Sequence, residues 1–285
     1  SSGDNVRTLT SSPGCGSYYS VSPDRNSIGF KLIDENGMQS PAIIDLESKA
    51  VIQLHDGVER AGQVSFTNDG RYALTIGTTL FILRGKESAT YDLGVYSNLA
   101  PVSPDGNLVA YNDNNDQLWV MNLSTREKSI ITDSKRGYCS PQWASNSSML
   151  LYSSLNGIVA VRDIASRNTY YIGEGINPSW SNDAQHVLFY RKEVEKDRVI
   201  NSDLYLAKFD GSETIRLTKT PDVLEMDPKF VDNDTKVIFH TYTKKEICIA
   251  QISDNATVEK RAIQLRQPAP LQPREREVSL EIRKT

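Results

Sequence analysis

Three histidines, three cysteines and two acidic clusters are the residues of this 285-residue chain whose types invite chemistry. The histidines are His55, His186 and His240, and no two have the short spacing that brings ligands to one metal. No metal site and no cofactor are therefore expected. Cys15, Cys139 and Cys248 are odd in number and far apart, which suits free buried thiols better than a disulfide framework. They leave the compartment open. Asn112-Asp-Asn-Asn-Asp116 and Asp232-Asn-Asp234 are rich in oxygen ligands, but neither has the spacing of a calcium loop with its distal Glu. Both read as turns, where Asn and Asp bond their own backbone. A Gly-x-Ser-x-Gly nucleophile elbow is missing. Lys244-Lys245 and Arg274/Arg276 read as short solvated groups. No catalytic residue is expected in this chain.

Composition narrows the class further. Thirty-two basic and 36 acidic side chains give a net charge of −4, which argues against a nucleic-acid binder with a basic face. Apolar residues make up 38% and charged residues 24%, a globular balance. The length suits one or two domains and is enough to bury a core without staples. No apolar run approaches the roughly 18 residues of a membrane span. Ser1 to Thr10 is polar and does not read as a signal peptide.

The elements that position any site come from an internal repeat. Ser22-Pro-Asp24 recurs as Ser103-Pro-Asp-Gly106, with degenerate copies beginning at Thr67, Ala144, Ser181 and Val231. These anchors are 45, 36, 41, 37 and 50 residues apart, a period near forty with insertions. An apolar or aromatic residue precedes each one: Val21, Phe66, Val102, Trp143, Trp180 and Phe230. Short strand-like runs follow, such as Leu108-Val-Ala-Tyr111, Leu118-Trp-Val-Met121 and Ser129-Ile-Ile-Thr132. Pro-Asp-Gly supplies turn chemistry, and no helical periodicity is strong. Four short antiparallel strands at such a period predict a β-propeller blade, and six copies predict six blades.

The segment Ser103-Pro-Asp-Gly-Asn-Leu-Val-Ala-Tyr111, followed by Gln117-Leu-Trp-Val-Met-Asn-Leu123, resembles the blade motif of TolB-like propeller repeats. Asp203 to Thr218 resembles the later half of that motif, and the likeness spans roughly Val6 to Leu265. It implies an all-β, six-bladed TolB-like propeller, an extracytoplasmic (periplasmic or secreted) setting, a bacterial source and a role in cell-envelope complexes. It does not imply an activity, because functions are grafted onto folds. TolB-like propellers that act as pectate-type lyases use a cluster of axial histidines around a metal, and this chain has none. Propellers of this type also cap prolyl-oligopeptidase-like hydrolases; such a hydrolase domain would have to lie beyond residue 285.

Residues 1–266 read as the propeller and 267–285 as a Pro-rich linker and tail. Asp4 to Thr10 resembles the outer strand Glu213 to Lys219 and is expected to help close the ring against blade 6. Arg261 to Leu265 is the other candidate for that strand, and both can be present. The tail, with Pro268, Pro270 and Pro273 before an alternating run to Ile282, suits either the start of a further domain or a segment packed on the propeller.

In a propeller the first strand of each blade lines the axis, and the loop feeding it rims one mouth. The repeat register places Tyr18, Gln63, Asn177 and Asp227 four residues before their anchors. Tyr19, Arg60, Asn98, Tyr138 and Glu225 are close to this level. The set is polar and aromatic, as a recognition surface is. The preferred reading is a non-enzymatic scaffold that binds a protein or peptide partner there. The rival is an accessory domain that gates substrate for a hydrolase or peptidase whose catalytic domain lies beyond residue 285. Carbohydrate stacking on Trp143 and Trp180 is weaker, because both hold the repeat position expected to pack between blades.

Overall fold

A computed structural model describes residues 9–10, 18–133, 136–221, 223–242, 246–252 and 264–265. Among these there is no helix, and the strands form six separate antiparallel sheets in chain order. Blade 1 comprises Ser20–Val21, Ser27–Ile33, Gln39–Asp45 and Val51–Gln53. Blade 2 comprises Ser65–Phe66, Tyr72–Ile76, Thr79–Arg84 and Glu87–Asp92. Blade 3 keeps Leu108–Asn112, Leu118–Asn122 and Lys128–Ile130. Blade 4 comprises Tyr138–Trp143, Met149–Ser154, Ile158–Asp163 and Thr169–Glu174. Blade 5 comprises Ile176–Trp180, His186–Glu195, Arg198–Lys208 and Thr214–Arg216. Blade 6 comprises Glu225–Val231, Lys236–Thr241, Glu246–Gln251 and Gln264–Leu265. The six expected blades are all present, and Gln264–Leu265 pairs as the outer strand of blade 6. In blade 3 the innermost strand shrinks to a single bridge between Val102 and Val109. Pro101 and Pro104 flank it and have no N–H to extend the ladder.

The middle strands read as continuous apolar runs because each sheet is covered on both faces. Along Val187-Leu-Phe-Tyr190, successive side chains enter alternate cores. Val187 and Phe189 join Leu151, Val159 and Val161 of blade 4. Leu188 and Tyr190 join Val237, Phe239 and Ala250 of blade 6. Each seam between blades is thus a small hydrophobic core, and the ring is a circle of such seams.

The anchors have a specific chemistry. Ser181 Oγ donates to Asp183 Oδ1 at 2.5 Å and accepts from the His186 N–H at 2.9 Å. Ser103 does the same with Asp105 and the Leu108 N–H, and Ser22 with Asp24 and the Ser27 N–H. The hydroxyl ties the end of the first strand to the start of the second. Gly106, at φ 76, shows why glycine closes the blade 3 copy.

Side chains then lace neighbouring blades. Ser20 Oγ donates to Val64 O at 2.6 Å, Gln142 Nε2 to Pro178 O at 2.9 Å, and Ser179 Oγ to Pro228 O at 3.0 Å. Trp143 Nε1 donates back to Pro101 O at 2.9 Å, and Trp180 Nε1 to Gln142 O at 3.1 Å. Both indoles are half-buried braces between blades, as the repeat position predicts. Arg25 of blade 1 lies near enough to Asp232 of blade 6 to help hold its carboxyl low, so the two ends of the ring meet. The expected closing segment Asp4 to Thr10 falls outside the described residues except Leu9 and Thr10, and residues 266–285, Cys15 and Lys244-Lys245 fall outside them entirely.

Candidate functional site

Antiparallel pairing decides which groups share an end of the ring. The first residues of each innermost strand pair with the last residues of the second strand, as Tyr138 does with Ser154 and Glu225 with Thr241. The segments entering the blades and the turns between second and third strands therefore crowd one end.

In blades 4, 5 and 6 the innermost strand carries a bulge at this end, between Cys139 and Gln142, Ile176 and Ser179, and Met226 and Lys229. Ser140, Asn177 and Asp227 occupy it at φ 55, 46 and 53. Each precedes a proline, which disfavours the ordinary helical region, and Ser, Asn and Asp tolerate the left-handed one better than bulky residues. The bulge turns a polar side chain out of the ladder. As a result Asn177 Nδ2 donates to Asp227 Oδ1, and Asp227 Oδ2 lies 3.3 Å from His240 Nδ1. The nearby Tyr190 phenol is pushed up to about 12, mainly by burial and then by the Asp227 charge. Lys229 lies on the innermost strand of blade 6; desolvation there lowers its ammonium, while Asp227 pulls it back up.

The opposite side of this end is held by Lys31, which is 8% exposed. Its Nζ donates to Asn98 Oδ1 at 2.8 Å, Ala61 O at 2.9 Å and Gln39 Oε1 at 3.0 Å. All three acceptors are neutral, and burial pushes the ammonium down. This contact fixes the segment bearing Arg60 and Gln63 against blades 1 and 3. Arg60 is exposed and lies 5.9 Å from the centre of the Tyr96 ring. Gln63 Oε1 is buried with no hydrogen-bond partner among the described residues.

Tyr18 is 38% exposed and Tyr19 62%. Burial raises the Tyr18 phenol, and Cys139 of blade 4 adds to the effect. Of the nine residues expected at the mouth, Tyr138 and Glu225 are buried. The Tyr138 hydroxyl donates to Asp133 Oδ1 at 2.7 Å. Glu225 is fully buried and accepts from Thr218 Oγ1 and, at 3.1 Å, from Thr220 Oγ1. Burial raises its carboxyl above the ordinary value, and the two threonines oppose this. These two residues brace the end of the ring from within.

Sequence reasoning missed three features. Lys31 is one: Gln39 begins the neighbouring strand of its own blade, while Ala61 and Asn98 lie in the segments entering blades 2 and 3. His240, in the second strand of blade 6, is another, brought to Asp227 on the innermost strand. The third is the hairpin His186–Glu195 and Arg198–Lys208, whose strands of 10 and 11 residues outrun every other blade. It turns at Lys196 and Asp197, both in the left-handed region. Tyr190 pairs with Leu204 and Lys192 with Ser202, so these share the face towards blade 6; beyond a register shift at Glu193/Val194, Val194 pairs with Val199. Ser202 Oγ confirms that face by donating to Glu225 O at 2.8 Å. Val194 and Val199, near the tip of this hairpin, are exposed. The 50-residue gap between anchors 181 and 231 was the available signal.

These features define a six-bladed β-propeller with a polar, aromatic mouth. The sequence matches no protein-family model and no curated protein. Solved structures match it at the level of fold. The β-propeller domain of Cps50 (Swd1) from Myceliophteria thermophila is similar at TM-score 0.63 and 13% identity, over 92% of this chain and 87% of that one. TolB from Acinetobacter baumannii is similar at TM-score 0.54 and 15% identity, over 80% and 61%. The tricorn protease is similar at TM-score 0.58 and 12% identity, over 89% of this chain and 28% of that one. The TolB-like architecture is thereby borne out. Among the described residues no helix is long and apolar enough to cross a membrane.

Proposed function

We propose that this chain is a non-enzymatic propeller scaffold that binds a protein or peptide partner at the mouth described above. The observation that supports it is the Asn177–Asp227–His240 group, together with the long blade 5 hairpin that exposes Val194 and Val199 at the same end of the ring. Rigid strands fix a polar floor, and an apolar wall stands beside it, the mixture that anchors a polypeptide. Tyr18, Tyr19, Arg60, Gln63, Asn98, Asn177 and Asp227 form the contact surface in this reading. Glu225 and Tyr138 position it. The extracytoplasmic setting follows the TolB-like resemblance, and residues 1–266 are the propeller unit, followed by a linker.

Selection of displayed random peptides on the immobilised chain tests the reading. Selected peptides should lose about 30-fold in affinity on Asp227→Ala, the size of an anchor contact, and on replacement of residues 193–200 by Asn-Gly. Peptides that bind both variants as tightly as the parent would overturn it.

The alternative, an accessory propeller of a larger hydrolase or peptidase, is supported by the likeness to part of the tricorn protease. Blotting source cells for the native polypeptide separates the two. A band near 31.8 kDa favours the scaffold, and a much larger band favours the accessory domain.

A further inference from the structure

The seams between blades are not filled alike. Trp143 and Trp180 each reach back across their seam to a carbonyl of the preceding blade. Blade 2 has Phe66 at the same repeat position, a shorter side chain with no N–H to donate. Between blades 1 and 2 a cleft of about 320 Å³ opens, at the end of the ring away from the mouth. Its volume falls at the lower end of ligand pockets, roughly 300–1,000 Å³, enough for one large side chain. Ile43, Ile52 and Leu54 of blade 1 and Phe66 and Tyr72 of blade 2 give it apolar walls. Ile52 is 55% exposed there, so the wall is open to an incoming group.

The charge on the cleft has one sign. Among the described residues, Asp24 is the single charged one lining it. The Ser22 hydroxyl and the Asn26 amide hold its carboxyl below the ordinary value, so it carries its negative charge at neutral pH. A smaller cleft of about 160 Å³ between blades 3 and 4 is lined instead by Arg162 and Arg167. The first cleft therefore discriminates by charge in a way the second would reverse.

We propose that the cleft between blades 1 and 2 is a second binding site, which takes an aromatic side chain of a partner polypeptide with a lysine or arginine next to it. The aromatic ring supplies from outside what Trp143 and Trp180 supply from within their own seams. The basic neighbour pairs with Asp24 at the rim. The site is independent of the mouth, on the opposite end of the ring.

Titration of the isotope-labelled chain with two blocked dipeptides, N-acetyl-Trp-Lys-amide and N-acetyl-Trp-Glu-amide, tests this by amide chemical shifts. The lysine dipeptide should give saturable shifts at Asn68 and Gly70, leave His240 unmoved, and bind about fivefold more tightly than the glutamate dipeptide, the upper end for one exposed ion pair. Asp24→Asn keeps the acceptor for the Ser22 hydroxyl and removes the charge, so it should bring the two dipeptides together. Phe66→Trp fills the cleft and should abolish the shifts without lowering the melting temperature. No saturable shift with either dipeptide, equal affinity for both on the parent chain, or shifts that persist in folded Phe66→Trp would each overturn the proposal. If Phe66→Trp does not fold, the Asp24→Asn comparison decides alone.

Discussion

Ser181→Ala probes the joint on which the repeat is built. The hydroxyl makes two contacts at once, a donation to Asp183 at 2.5 Å and an acceptance from the His186 N–H at 2.9 Å. Ser181 is 2% exposed, so water does not replace it freely. The carboxylate of Asp183 is exposed and recovers part of its loss by hydration, which leaves about 1 kcal/mol for that bond. The His186 N–H loses its acceptor at the start of a strand and adds about 1–2 kcal/mol. The expected cost is about 2–3 kcal/mol, or roughly 4–12 °C in melting temperature for a domain of this size. Urea denaturation with refolding checked is the assay. Asp183→Ala and the double variant complete a cycle whose coupling should be about 1 kcal/mol. Ser103→Ala, in a distant blade, should cost a similar amount and add to Ser181→Ala within about 0.5 kcal/mol. A loss below about 0.5 kcal/mol for Ser181→Ala, or zero coupling to Asp183, would refute the claim that the hydroxyl holds the turn. Blade 4 is the natural comparison: Ala144 has no hydroxyl, and Asn146 Oδ1 accepts from the Ser148 N–H instead.

Other outcomes follow from the same contacts. Trp180→Phe should cost about 1 kcal/mol by losing the bond to Gln142 O, and Trp180→Ala about 3 kcal/mol by also opening the seam; equal losses in calorimetry would show the ring is not a brace. Glu225 has a raised carboxyl, so its ionisation opposes folding. Parent stability should fall as pH rises from the ordinary carboxylate range through the raised value, and Glu225→Gln should flatten that slope in denaturation profiles; an unchanged slope would contradict the burial argument. Lys31→Met should leave the acceptors Asn98 Oδ1, Ala61 O and Gln39 Oε1 without their shared donor, costing about 2 kcal/mol and speeding amide exchange from Ala61 to Gln63; protection equal to the parent would show that Lys31 does not fix the rim.

What was legible in the sequence was what each blade states for itself. The turn at Ser103-Pro-Asp-Gly106 and the run Leu108 to Tyr111 are local chemistry, repeated, and the sheets appeared where those runs lie. Lys31 was invisible because its acceptors lie 8, 30 and 67 residues away, and two of them reach it only when blades 1, 2 and 3 pack together. Glu225 and Tyr138 were expected at the mouth and are buried, because register fixes height along the axis and not which way a side chain points. Yet one rule would have found His240. In blades 4, 5 and 6 the residue five before the anchor pairs with a late residue of the following strand: Cys139 with Ser153, Ile176 with Tyr190, Met226 with His240. Each of those partners has a mark of the mouth. The Ser153 hydroxyl is buried without a partner among the described residues, the Tyr190 phenol feels Asp227, and His240 touches it. A propeller mouth is therefore written in two registers, the segment before the anchor and the end of the strand after it. A search of the first alone finds the floor of the site and misses half of its walls.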